Sequence, residues 1–186
     1  MRTKELVDRL ECVPIIAAIR DDRWQQALAS PAEVLFYLEC SLLTVERRIC
    51  QAHSAGKIIF VHVDLSEGIG RDKTGIAYLA QCGVDGIIST KSQLIRTAKE
   101  LGLLTVQRFF ALDSQGMDSI QEVLKNTKPD FMEIMPGVLP KVIQRLSGGF
   151  IPVIAGGLIE SKAEITGALG SGATAISTGR PELWEL

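Results

Sequence analysis

A chain of 186 residues is the size of one hydrophobic core, since single domains mostly run to ~100 to 200 residues, so one domain over residues 1–186 is expected. Apolar residues at 46% and charged ones at 23% exclude disorder as the main state. The net charge of -2, from 20 Lys+Arg against 22 Asp+Glu with no basic half, gives no electrostatic support to generic nucleic-acid binding.

The elements follow as short β-rich apolar runs alternating with amphipathic stretches. Strand candidates in chain order are Pro14 to Ile19, Val34 to Leu38, Ile58 to Val63 and Gly86 to Ser89, then Leu104 to Phe109, Phe131 to Ile134, Ile151 to Ala155 and Thr174 to Ser177. Nearly continuous apolar runs suit parallel strands covered on both faces. The first crossover, Arg23 to Ala32, is too short for more than one or two helical turns. Spacings of three and four mark helices through Val45, Ile49 and Ala52 and through Leu94, Ala98 and Leu101. Gly56, Gly102, Gly170 and Gly172 stand where helices should stop, and Ser114 and Ser161 where they should be capped. Eight strand-helix units are the pattern of a compact TIM-like (β/α)8 barrel. Such barrels typically need ~250 residues, so this one would be minimal; a five-stranded flavodoxin-like sheet fits the length but leaves three apolar runs without a place.

No run nears the ~20 apolar residues that span a bilayer, and no signal-peptide core follows Met1-Arg2-Thr3-Lys4-Glu5. A soluble cytoplasmic protein without membrane contact is expected. Cys12, Cys40, Cys50 and Cys82 form no Cys-x-x-Cys pair and are read as reduced core thiols.

A barrel of this kind carries its site on the loops that follow the strands. Arg20, Asp64, Arg108 and Glu133 are charges at the ends of apolar runs one, three, five and six, and an ion in a buried strand costs several kcal/mol unless paired or used. They are expected to converge in one polar chamber, either as a structural ion-pair network or as the floor for a small hydroxylated ligand. Gly156-Gly157 after strand seven and Thr178-Gly179 after strand eight lie where many barrels hold phosphate on backbone N–H groups, with a helix N-terminus behind. His53 is read as solvated. His62 lies two residues before Asp64 on an alternating strand, so both side chains are expected on one face, His62 either as a core histidine bonded to a neighbour or lining the ligand chamber. Neither histidine has the partners of a metal site or a Ser-His-Asp triad, and no strand carries a Schiff-base lysine, so no catalytic or metal-binding residue is assigned. Asp64 and Glu133 leave one enzymatic alternative, an isomerase, lyase or synthase acting on a small phosphorylated metabolite through a carboxylate base.

The motifs Val61-His62-Val63-Asp64-Leu65, Asp85-Gly86-Ile87-Ile88-Ser89-Thr90-Lys91-Ser92, Val106-Gln107-Arg108-Phe109-Phe110, Lys128-Pro129-Asp130-Phe131-Met132-Glu133-Ile134-Met135-Pro136-Gly137 and Ala155-Gly156-Gly157-Leu158 together resemble the glycerol uptake operon antiterminator regulatory proteins, in order over about residues 14 to 184. The resemblance implies a regulator of transcription antitermination in glycerol metabolism that takes glycerol 3-phosphate as effector, uses no cofactor and binds leader messenger RNA, as a possible homo-oligomer. The family's Ser-Asn after strand eight is replaced here by Thr178-Gly179-Arg180-Pro181, and the loop Glu39 to Thr44 matches poorly, so no site is assigned there. The expected RNA contacts are Arg47, Arg48, Lys91 and Arg180.

Overall fold

The computed structural model describes residues 3–111 and 114–186, without the side chains of residues 114 and 115. The expected cap, a bond of the Ser114 side chain, therefore lies outside what is described. Eight parallel strands, β1 (Ile15–Ile19), β2 (Val34–Tyr37), β3 (Ile58–His62), β4 (Gly86–Ser89), β5 (Leu104–Phe110), β6 (Phe131–Met135), β7 (Val153–Gly156) and β8 (Ala175–Thr178), close into a barrel in sequence order. Closure rests on the pairing of β8 with β1, in which Ile176 lies beside Ile15 and Thr178 beside Ala17. The apolar runs are nearly continuous because both faces are covered: one set of side chains fills the barrel and the alternate set meets the helices.

Between the strands run α2 (Trp24–Ala29), α3 (Val45–Ser54), α4 (Lys73–Gln81), α5 (Ser92–Glu100), α6 (Ser114–Thr127), α7 (Pro140–Ser147) and α8 (Lys162–Gly170). The first crossover holds a six-residue helix after a short 3-10 turn, as its length requires. Gly56 and Gly102 adopt positive φ just past α3 and α5, where a side chain would be strained. Gly172 does the same past α8, whereas Gly170 is that helix's last residue and not its stop. Ser161 caps α8 by accepting from the Glu164 N–H.

The eighth strand-helix unit differs from expectation. Among the described residues β8 is followed by a 3-10 turn, Pro181–Leu183, and the remaining helix, α1 (Thr3–Cys12), precedes β1. The turn does the covering work of a helix, since Leu183 and Trp184 are buried and the Trp184 indole donates to the Thr178 carbonyl at 2.8 Å. Helix α1 closes the opposite end of the barrel, where Leu6 and Leu10 pack with Ile16, Val34, Ile58 and Leu104. Leu6, Val7 and Leu10 are its only apolar residues before the terminal Cys12, too short a pattern to single out a helix.

The thiols also depart from the reading. Cys40 is buried, but Cys12 and Cys50 are exposed, each on a helix whose inner face is already taken by Leu6 and Leu10 or by Val45, Ile49 and Ala52. Among the described residues no helix is long and apolar enough to cross a membrane.

Candidate functional site

The barrel interior changes character toward the carboxyl ends of the strands. Its lower part is apolar, with the Phe36 and Phe60 rings meeting edge to face at 5.6 Å between centroids. Two residues further along their strands the inward positions become His62, Arg108, Glu133 and Ser177, all buried. Arg108 Nε lies 2.7 Å from Glu133 Oε2, and Ser177 Oγ donates to Glu133 Oε1 at 2.6 Å. Gly156 is the inward residue of β7 at this level. A Cβ there would stand 2.5 Å from Glu133 Oε1 and 2.6 Å from Ser177 Oγ, so glycine leaves room for a carboxylate that must reach both partners.

The row continues toward β3. Arg108 Nη1 makes a long contact, 3.5 Å, to His62 Nδ1. A guanidinium only donates, so any hydrogen bond here has Nδ1 as its acceptor. The other ring nitrogen, Nε2, faces Asp64 at 3.7 Å, too long for a hydrogen bond, and has no hydrogen-bond partner. Asp64 is not in the chamber. Strand β3 ends at His62, and a 3-10 turn over Val63–Leu65 breaks the alternation that would have kept both side chains on one face. Asp64 turns instead to the β4 loop, accepting from Ser89 Oγ, Thr90 N and Thr90 Oγ1, each at 2.7 Å.

Burial raises the Asp64 carboxyl, but nearby His62 and the donors of Thr90 and Ser89 outweigh it and hold the group well below the usual carboxylate range. A carboxylate depressed in the folded state stabilises fully above its unfolded value of about 4, and the stabilisation fades as pH falls below that toward the folded value. The stability difference between wild type and Asp64→Asn is therefore expected to be largest at neutral pH and to narrow below about pH 4, as read from urea midpoints. A pH-independent difference would mean that these bonds do not depend on the charge.

Above the row opens a mouth cavity of about 260 Å³, lined by Arg20, Arg108, Glu133, Gly157, Thr178 and Gly179 together with Asp22, Arg23, Leu38, Met135 and Ser177. Six of the eight expected ligand residues thus share one cavity; Asp64 and Gly156 do not line it. The charges do not form one ion-pair network. Arg108 pairs with Glu133, whereas Arg20, half-exposed at the rim, pairs with Glu39 at 2.8 Å, so the β2 loop does contribute to the site.

The anion side also differs in part from expectation. Gly157, with φ of 75°, and Gly179 do face the cavity. At the N-terminus of α8, however, the Glu164 N–H is taken by the Ser161 hydroxyl, and the Glu164 carboxylate bonds to the turn that precedes the helix. Glu164 accepts from the Glu160 N–H at 2.8 Å and from Ser161 Oγ at 3.0 Å, and these bonds lower its pKa. Thr178 Oγ1 donates to the Ile159 carbonyl. The positive charge beside these loops comes from Arg23, which donates to the Gly179 carbonyl and lies 3.7 Å from Asp22. Sequence reasoning missed Arg23 because it sits in a crossover without strand periodicity. It also missed Ser177, which could have been found by counting two residues on from inward Ala175.

The four expected RNA contacts do not make one patch. Arg47 and Lys91 are exposed. Arg48 is spent inside the chain: its guanidinium lies 4.7 Å from the Trp24 ring centroid and 2.8 Å from Asp21, with its side chain 15% exposed. Arg180 pairs with Glu160. Lys91 follows β4 and Arg180 follows β8, on opposite sides of the closed barrel. His53 is exposed, as expected of a solvated residue, and bonds Asp85 at 3.0 Å. Among the described residues no three His, Cys, Asp or Glu side chains gather as metal ligands would.

The model of the family described as glycerol-3-phosphate responsive antiterminator matches residues 15–184. The crystal structure of the glycerol uptake operon antiterminator regulatory protein from Listeria monocytogenes str. 4b F2365 superposes with a TM-score of 0.87 at 32% identity, covering 92% of this chain and 94% of that one. The glycerol uptake operon antiterminator-related protein from Thermotoga maritima MSB8 gives 0.82 at 32% identity, covering 92% and 98%. Among curated proteins, uncharacterized protein YgcP of Escherichia coli (strain K12) is 33% identical over 176 residues, 93% of this chain and 92% of its own.

Proposed function

Because the chain belongs to the glycerol-3-phosphate responsive antiterminator family, we propose that it senses glycerol 3-phosphate in the barrel mouth and, when loaded, binds the leader of a glycerol-utilisation messenger RNA in the cytoplasm, preventing premature termination. The observation that carries the ligand half is the division of the cavity into two chemistries. On one side, Gly157 and Gly179 expose loop backbone beside Arg23, a setting for a phosphate dianion. On the other, the Arg108–Glu133–Ser177 row offers a donor and an acceptor for glycerol hydroxyls.

A sensor needs only this chamber and a surface that responds to it, whereas an enzyme also needs a base held ready for a proton. Of the two carboxylates that line the cavity, Asp22 lies exposed beside Arg23, and Glu133 has both its oxygens engaged, one by Arg108 and one by Ser177. That arrangement suits hydrogen bonding to a hydroxyl better than proton abstraction. Asp64, the other candidate base, lies outside the cavity lining.

Calorimetric titration with glycerol 3-phosphate tests the reading. Arg23→Ala should weaken glycerol 3-phosphate strongly and glycerol little, because it removes a phosphate partner. Equal weakening of both ligands would move the phosphate elsewhere, and turnover of triose, pentose or glycerol phosphates would favour the enzymatic alternative.

A further inference from the structure

At the end of the barrel away from the mouth, α6 and α7 flank a second cavity of about 640 Å³ that the ligand site does not use. Its floor is apolar, formed in part by Leu124 and Leu146, and its rim carries Lys125, Lys128 and Arg145. The loop Gly148-Gly149-Phe150 that ends α7 holds the Phe150 ring wholly in solvent at the edge of the groove. With the apolar floor beside it, the exposed ring belongs to one contiguous apolar surface rimmed by polar groups, the kind that marks an interaction site. Lys99 reaches the same rim by donating to the Lys128 carbonyl. The acid facing this cluster, Asp118, is held by Arg145 at 2.7 Å.

We infer that this groove is the surface that takes single-stranded RNA, with Phe150 stacking on a base and Lys125 and Lys128 against the backbone phosphates. The inference rests on the RNA reading above and adds where the strand lies. Cations along a groove with an aromatic platform are the combination that single strands require, since the phosphates supply charge and every base has a stackable face. An acidic protein segment would satisfy the lysines but would not need an isolated ring held on two glycines. The site is local, which reconciles RNA binding with a chain whose net charge is -2. It is also joined to the mouth through one strand: on β6, Met132 lines the groove and the next residue, Glu133, lines the ligand cavity.

The test is fluorescence anisotropy with a labelled single-stranded leader RNA of a glycerol-utilisation messenger from the protein's own source, at saturating glycerol 3-phosphate. Phe150→Ala should weaken binding by about 5- to 150-fold, the range for loss of one base stack, and Phe150→Trp should retain it. Lys125→Gln combined with Lys128→Gln should flatten the dependence of log K on log salt by about 1.4, two phosphate contacts' worth for a single strand. Wild-type binding with unchanged affinity in Phe150→Ala would overturn the groove while leaving RNA recognition intact. No binding by the wild type would overturn both. Emission of the Phe150→Trp variant that responds to an acidic helical peptide but not to RNA would assign the groove to a protein instead.

Discussion

Glu133→Ala should lower the thermal midpoint by roughly 6 to 20 °C, because removing one partner of a buried ion pair costs about 3–5 kcal/mol and each kcal/mol is worth about 2–4 °C in a domain of this size. Arg108 is 8% exposed and Glu133 only 1%. The alanine variant thus leaves a guanidinium in the barrel without its carboxylate and Ser177 without its acceptor. The cost comes from the charge left behind and not from the pair's intrinsic worth. Arg108→Met combined with Glu133→Leu should accordingly recover most of the lost stability, since apolar replacement of both partners is often neutral or better. The double variant should still fail to bind glycerol 3-phosphate, because it lacks the groups that meet the hydroxyls. Scanning calorimetry of the two variants separates these effects. An unchanged midpoint in Glu133→Ala would show that water reaches Arg108 freely.

Gly157→Val should abolish glycerol 3-phosphate binding with a smaller loss of stability. The backbone there has φ of 75°, where a β-branched residue is strained by on the order of 1–3 kcal/mol. A Cβ would stand 2.7 Å from Met135 Cε, the flexible end of a side chain that can move aside. The fold therefore tolerates the change, but the added bulk projects where the loop backbone meets the anion. Isothermal titration should show no heat of binding at a melting temperature still well above that of Glu133→Ala. A variant that binds as wild type would remove the Gly157 loop from the anion site.

Much of the architecture was legible because a two-sided parallel sheet writes itself as unbroken apolar runs, and an eightfold alternation has few other solutions. Arg108 and Glu133 stood out for the complementary reason, as ions inside such runs. The remainder of the site depended on geometry that periodicity does not carry. Whether His62 and Asp64 share a face turned on where β3 ended, and the turn at Val63 separated them. Gly156 looked like half of an anion loop, yet its lack of a side chain serves the Glu133 carboxylate. The α8 N-terminus looked free, yet Ser161 and Glu164 bond to each other there. Arg48 read as a cation available to RNA because stacking on Trp24 joins residues far apart in sequence.

The central claim is that ligand and RNA are coupled, and coupling free energy is reciprocal. The direct measurement is the dissociation constant of leader RNA from zero to saturating glycerol 3-phosphate at one fixed, moderate salt concentration, paired with ligand titrations with and without that RNA. The account predicts that glycerol 3-phosphate tightens RNA binding and that RNA tightens glycerol 3-phosphate binding by the same factor. RNA affinity that stays constant across the whole ligand range would contradict it.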